Sequence, residues 1–158
     1  MNKLPITKTG EAQLKAELHR LKTIERPAIS AAIAEARAQG DISENAEYDA
    51  AKEKQSFIEG RILEIESKLA IAQVIDPTAL DAGGRVVFGA TVDIEDMETG
   101  KRSTYQIVGD DEADLKLGKI SVSSPIARAL IGKSAGDTVE FEAPGGMREV
   151  EIIDVRYV

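Results

Sequence analysis

Residues 40–49 read Gly-Asp-Ile-Ser-Glu-Asn-Ala-Glu-Tyr-Asp, and four carboxylates, Asp41, Glu44, Glu47 and Asp49, fall within nine positions. Two chemistries suit Asp41 and Glu44. Asp41-x-x-Glu44 has the spacing of a capping box, in which the first side chain accepts from the backbone of a starting helix and the second reaches back. Acidic groups in a first helical turn also favour the helix dipole. The same pair suits a hard divalent cation such as Mg2+, which is commonly held by one or two carboxylates with water and phosphate oxygens completing its shell. Two carboxylates make no closed site, so on this reading the other ligands belong to a partner, and a metal held that way assists displacement at phosphorus. The readings are compatible, because a capped turn also fixes a carboxylate in space, and spacing leaves both open. Arg37 precedes the cluster by about one turn, and Lys52 and Lys54 follow it. Singly, each reads as a solvated helix face; together, beside carboxylates, they suit a phosphate backbone. Tyr48 reads as packing on an opposite helix, with stacking on a base as the alternative.

The elements that carry these residues follow from apolar periodicity. From about Glu11 to Ala38, Leu14, Leu18, Leu21, Ala28 and Ala32 follow a heptad seam interrupted at Glu25, with Ile29, Ile33 and Ala36 as a second row. Thr7 or Thr9 is the expected cap. Pro27 removes a hydrogen bond inside this helix, so a kink is expected there. After Gly40, a second helix is expected from about Glu44 to Gln73, with Ile58, Ile62, Ile65, Leu69 and Ala72 as its seam. Ala51 extends that seam towards the turn, and Ala46 and Ala50 keep the contact side slim. A connection of about five residues makes the two helices antiparallel neighbours. The acidic cluster then lies at the far end of a helical hairpin.

Asp76-Pro77 marks a boundary, and Asp81-Ala-Gly-Gly84 a turn or linker. The period then changes to two. Strands are expected at 86–95, 104–108, 120–122, 138–142 and 149–155, with turns at 98–101 and 144–146. Ser124 as N-cap and Pro125 at the first helical position open a short helix that Gly132 ends. The expected architecture is α+β: residues 1–76 form an antiparallel coiled-coil hairpin, and 77–158 a small, mostly antiparallel β domain with one short helix.

Composition narrows the function. The chain holds 28 acidic and 20 basic residues, a net charge of -8. Residues 1–75 carry a net -1 and 76–158 a net -7, which argues against a general nucleic-acid coat protein. There is no cysteine, so disulfides and thiolate metal sites are excluded. The single histidine, His19, reads as a surface residue. No stretch resembles a signal peptide or a membrane span. A soluble, cytoplasmic protein with no membrane partner is expected, and a monomer, since the hairpin buries its own seam.

Several motifs occur in one order along nearly the whole chain. They are Pro27-Ala-Ile29, Ala31-Ala-Ile-Ala-Glu-Ala-Arg37, Gly40-Asp41 with Glu44-Asn-Ala-Glu-Tyr48, Ala72-Gln-Val-Ile-Asp76, Phe88-Gly-Ala-Thr-Val92, Ile107-Val-Gly-Asp-Asp-Glu-Ala-Asp114, Ile120-Ser-Val122, Ser124-Pro-Ile-Ala-Arg128 and Leu130-Ile-Gly-Lys133. In these the chain resembles the bacterial Gre family of transcript cleavage factors, nearer its GreA than its GreB type. The resemblance implies a coiled coil that enters the secondary channel of RNA polymerase. Asp41 and Glu44 would there help to hold an Mg2+ ion shared with the polymerase, which hydrolyses its own backtracked transcript. It implies that Arg37 and Lys52 lie near the RNA 3′ end, and that the C-terminal part is an FKBP-like domain docking at the channel rim. Ser123, Ser124, Pro125 and Ile126 are the expected docking edge. Such a protein is a cofactor of polymerase rather than an enzyme. Ser43 stands where the family often has a basic residue, and Asp49 where it often has histidine.

Two rivals are weighed. A channel inhibitor of the same architecture would bind without stimulating cleavage, and the retained Asp41 and Glu44 disfavour it. A prolyl isomerase would need an aromatic-lined pocket, whereas Phe88, Tyr105, Phe141 and Tyr157 are explained by their strand positions as core.

Overall fold

The computed structural model describes residues 3–40 and 45–158. Two compact units emerge, one built mainly from Ala12–Ala72 and one from Pro5–Glu11 with Gln73–Val158.

The first unit is the helical hairpin. Helix α1 (Lys8–Arg20), a π-helical turn (Leu21–Glu25) and α2 (Arg26–Ala38) form its first arm, and α3 (Ala46–Ala70) its second. At ~1.5 Å per residue, α3 is about 37 Å long. Just before Pro27, where a kink was expected, the helix departs from α geometry in the π turn, in which the Arg26 N–H reaches five residues back to the Leu21 carbonyl. Pro27 thus lies in the first turn of a new α-helical segment, where a missing N–H costs nothing.

The wider turn inserts one residue and shifts the seam's phase. Leu14 before the turn and Leu21 at its first position are buried, as are Ile29 and Ala36 after it, and Ile33 packs at the edge. Ala28 and Ala32, expected in the seam, are exposed. Across from this row, α3 buries Ala51, Ile58, Ile62 and Ile65. Ala46 and Ala50 are exposed. Helix α3 also stops at Ala70, so Ala72 lies in a strand rather than in the seam. Polar pairs flank the apolar row. Arg26 donates to both carboxylate oxygens of Glu59 (2.9 and 2.8 Å), Arg61 to both of Glu17 (2.7 and 2.8 Å), and Lys22 to Glu66 (2.8 Å). Exposed pairs of this kind contribute little stability; their fork geometry specifies register.

Strands β1 (Leu4–Thr7) and β2 (Ala72–Ile75) form a two-stranded sheet that periodicity did not signal. The main sheet comprises β3 (Thr91–Asp96), β4 (Arg102–Val108), β5 (Lys119–Ser121), β6 (Thr138–Ala143) and β7 (Gly146–Arg156), in the order β5-β4-β3-β7-β6. Its pairings are antiparallel except β4–β5. Alternation sends Val92 and Ile94 of β3 into a core with Ile107, Ile120, Val139, Val150 and Ile152, and helix α4 (Pro125–Leu130) adds Ala127 and Leu130. Residues 86–90, expected as strand, lie outside the ladder. The Val86 N–H donates to the Lys133 carbonyl at 2.7 Å, and Gly89 turns the chain at φ +90° before β3 begins.

Thr7 does three things at the start of α1. Its hydroxyl lies against both carboxylate oxygens of Glu112, 2.7 Å from Oε1, and accepts the Gly10 N–H at 2.9 Å as an N-cap. Its backbone continues β1. Glu112 is almost wholly buried, with the Lys119 ammonium 3.6 Å away. A Cβ on Gly10 would meet Glu112 Oε2 at 3.0 Å and Thr7 Oγ1 at 3.3 Å, so a larger residue here would require the buried Glu112 carboxylate to give by a few tenths of an ångström. Replacing Thr7 by Val removes the cap and a hydrogen bond to a buried carboxylate, and should destabilise the protein by about 1–3 kcal/mol in denaturant titration. Gly10→Ala, which ordinarily stabilises a helix by roughly 0.5–1 kcal/mol, should instead lower the melting temperature.

Surface carboxylates on the sheet give a second, pH-dependent expectation. The Arg156 guanidinium and the Thr104 hydroxyl bind Asp93 and hold its carboxyl below the ordinary value of 3.8. The backbone N–H groups of Thr99 and Glu98, with Arg148, do the same for Asp96. A carboxyl whose folded pKa is depressed adds stability above its unfolded pKa and loses it as pH falls through the folded value. Thermal unfolding should therefore move to lower temperature as pH drops below about 4. Asp93→Asn should start from a lower melting temperature and show a shallower fall across that window.

Candidate functional site

At the hairpin turn, α2 closes on Gln39 as C-cap, and Gly40 adopts φ +127°, a conformation L side chains rarely take. Helix α3 opens at Asn45, whose extended backbone (φ −92°, ψ 101°) is that of an N-cap. The Asn45 Oδ1 accepts the Tyr48 N–H at 3.0 Å, and its Nδ2 donates to the Ala36 carbonyl at 2.7 Å. One side chain therefore satisfies a terminal carbonyl of α2 and a terminal N–H of α3. Beside it the Arg37 guanidinium lies 5.9 Å from the centre of the Tyr48 ring, a cation–π contact between the helices. Ala36 and Ala51, both buried, keep the helices close here.

Asp41, Ser43 and Glu44 lie outside the described residues. The cap of α3 is nevertheless assigned: it is Asn45, and the helix begins at Ala46 rather than near Glu44. A capping box with Asp41 as N-cap does not describe this helix. Glu47 and Asp49 sit in its first turn, where carboxylates favour the dipole. Tyr48 is half-buried against α2 through Arg37. Lys52 is exposed, and its ammonium donates to Gln55 at 3.1 Å; Lys54 is also exposed. Among the described residues, no three His, Cys, Asp or Glu side chains converge as a metal cage. Asn45 was not singled out from the sequence, although its type is among the best N-caps and it directly precedes a helical run.

A second feature lies in the sheet unit. The turn between β5 and α4 is tied by hydroxyls. Ser124 Oγ accepts the Ala127 N–H and donates to the Ser121 carbonyl at 2.6 Å, and Ser123 Oγ donates to Asp110 at 2.9 Å. Beside this turn runs an apolar groove of about 840 Å³, lined by Leu115, Ile120, Pro125, Ile126, Phe141 and Pro144 among others. Ser124, Pro125 and Ile126 thus line one groove, and Ser123 sits on the same turn without reaching it. Leu115 is 76% exposed at its rim. Phe141 is the one aromatic side chain in the lining.

Residues 4–74 match the family described as transcription elongation factor, N-terminal, and residues 81–157 the family described as transcription elongation factor, GreA/GreB, C-terminal. The chain belongs to the GreA/GreB family of transcription elongation factors. Transcription elongation factor GreA of Ralstonia nicotianae is 71% identical over 158 residues, covering all of both chains, and that of Neisseria meningitidis serogroup A is 61% identical with the same coverage. Among solved structures, GreA factor homolog 1 of Thermus thermophilus is 28% identical, covering 98% of this chain and 99% of its own, with a TM-score of 0.43. The hairpin turn belongs to the N-terminal part of this GreA/GreB chain, and the groove to the C-terminal part. No helix among the described residues is long and apolar enough to cross a membrane.

Proposed function

We propose that this GreA/GreB factor binds RNA polymerase in its secondary channel and stimulates the polymerase's own hydrolysis of backtracked nascent RNA. The protein is a cofactor in that reaction and the polymerase is the enzyme. The observation that carries the reading is the hairpin turn. Asn45 takes over helix capping, so Asp41 and Glu44, in the acidic run beside it, are not needed for it. Carboxylate oxygens are the donors Mg2+ prefers, and two of them leave most of its shell to a partner.

Bound with the help of these carboxylates, Mg2+ would supply charge stabilisation at phosphorus and a more acidic water. Asp41 and Glu44 would hold it, and their carboxylate oxygens would accept hydrogen bonds from the attacking water. The water oxygen bonds to phosphorus, the bond from phosphorus to the upstream O3′ breaks, and a proton ends on that O3′. Arg37 and Lys52 contact phosphates near the RNA 3′ end as positioning cations. Arg37 covers a face of the Tyr48 ring, which favours a packing role for Tyr48 over stacking on a base. The groove beside Pro125 and Ile126 is the docking surface for the channel rim.

Asp41→Asn and Glu44→Gln remove a charge while keeping size. In a purified backtracked complex with Mg2+, both should bind polymerase with wild-type affinity and lose cleavage by about 100-fold or more. A wild-type protein that binds and leaves the transcript intact would instead be a channel inhibitor. The groove has its own test. Leu115→Asp, at an exposed position, should fold normally and weaken polymerase binding by roughly tenfold or more. Its cleavage rate should return to the wild-type value at saturating factor. Unchanged affinity would move docking away from this groove.

A further inference from the structure

We propose that the sheet unit carries a further binding site, a cleft on the face of β3, β4 and β7 that takes a small molecule with one carboxylate on an apolar body. The inference is independent of the chemistry proposed for the hairpin turn. The cleft has a volume of about 400 Å³, at the small end of the range that ligand pockets occupy. It shares Ile126 and Phe141 with the groove described above. Its floor follows from strand alternation. Lys101 directly precedes β4, and Ser103 and Tyr105 come at every second position after it, so all three line the same face. Across the ladder the Asp96 N–H donates to the Lys101 carbonyl at 2.9 Å, and Ile94 pairs with Ser103. Val150 pairs with Asp96 on its other side. Ile94 and Val150 are buried and give the cleft an apolar base.

The polar groups point to a ligand. Each cation within these three strands is paired: Arg102 with Glu95, Arg156 with Asp93, and Arg148 with Asp96 at 3.0 Å. Asp96 also accepts the N–H groups of Glu98 and Thr99. Lys101 differs. Among the described residues its ammonium has no hydrogen bond or ion pair, and the hydroxyls of Ser103 and Tyr105 have no hydrogen-bond partner. An ammonium and two hydroxyls, all able to donate, are thus left unengaged along one strand. Arg148 spends one N–H on Asp96 and keeps others. Charge then selects the ligand. Two lining cations, Lys101 and Arg148, stand against one lining acid, Asp96, so the cleft is net positive by one charge. It lies in the half of the chain that carries a net -7. A carboxylate balances that single charge and accepts from the ammonium and both hydroxyls; a phosphate monoester brings nearly two charges. A small polar anion would leave Ile94, Ile126, Phe141 and Val150 uncovered, so the carboxylate must carry an apolar body.

Phenylbutyrate is the probe. In proton–nitrogen NMR spectra of the full chain it should shift the backbone amides of Ser103, Tyr105, Ile126 and Arg148 saturably, with a Kd on the order of 1 mM at low salt. Uncharged phenylbutyramide, and acetate, which lacks the apolar body, should each bind at least about tenfold more weakly. Lys101→Gln should weaken phenylbutyrate binding about tenfold and remove most of its salt dependence. Tyr105→Phe, which gives up no internal hydrogen bond, should weaken it about threefold or more. Lys133→Gln loses the same charge outside the cleft and should bind as the wild type does. The inference is overturned if no saturable shift appears up to probe concentrations on the order of 10 mM, or if carboxylate and amide bind equally. Binding that Lys101→Gln leaves unchanged, in a variant whose remaining spectrum shows it folded, overturns it too. If Lys101→Gln instead weakens polymerase binding while phenylbutyrate leaves the spectrum unchanged, the cleft is part of the docking surface and the inference falls.

Discussion

The hairpin depends on an apolar seam that stays in phase across Pro27. Neither arm is a stable helix alone, because helices of this length draw their stability from packing. A proline inside an α-helix costs about 3 kcal/mol and would leave a carbonyl without its donor. The π turn at Leu21–Glu25 answers both problems with one extra residue. Leu14 and Leu21 then share a stripe with Ile29 and Ala36, and both segments face Ile58, Ile62 and Ile65. An uninterrupted α-helix would turn Ala28 and Ala32 inward and leave Ile29 and Ile33 at the margin. The bidentate pairs Arg26–Glu59 and Arg61–Glu17 tie one register, and the Asn45–Ala36 bond at the turn requires it. The placement of the turn is thus a consequence of packing many residues away.

Much of this was legible in the sequence, for a physical reason. Burying one face imposes a period, so the two helical arms, the alternating strands and the Ser124–Pro125 helix start were all visible as patterns. What escaped departs from a fixed period or is too short to show one. The π turn changes the helical repeat over five residues, and its trace was the misfit of Glu25 together with two competing apolar rows. Ala72–Ile75 has four residues and no alternation, so it read as the end of a helix; only its pairing with Leu4–Thr7 makes it a strand. Val86–Ala90 has the composition of a strand, but Gly89 at φ +90° turns the chain before the ladder begins. At the turn, residue types pointed to Asp41 and Glu44. The two-helix use of Asn45 was not legible, because it depends on a carbonyl nine positions away.

Polar groups in the sheet unit follow a consistent logic. No buried side-chain nitrogen or oxygen among the described residues lacks a partner. Among the described residues the one deeply buried carboxylate, Glu112, is matched by Thr7 and Lys119, and glycine at position 10 gives it room. Unpaired, such a group would cost several kcal/mol. Around the β5–α4 turn the hydroxyls of Ser121, Ser123 and Ser124 are directed to Asp110 and to backbone. With its polar atoms engaged internally, this face offers Pro125, Ile126 and Phe141 to the groove as apolar surface.

Charge explains why the chemistry proposed for the turn belongs to a complex rather than to this chain alone. A protein of net charge -8 is repelled by a phosphate backbone at long range, and two flanking cations do not reverse that field. Arg37 is held on Tyr48, and Lys52 shares its ammonium with Gln55. A carboxylate pair approaching RNA phosphate meets further repulsion unless a divalent cation lies between them. A partner that binds RNA, contributes the remaining metal ligands and accepts the apolar groove removes each of these obstacles. The separation of duties at the turn follows from the same constraint. Among the described residues, capping of α3 falls to neutral Asn45 and the contact between the helix ends to Arg37 with Tyr48, which is the division of labour that the proposed cation chemistry of Asp41 and Glu44 calls for.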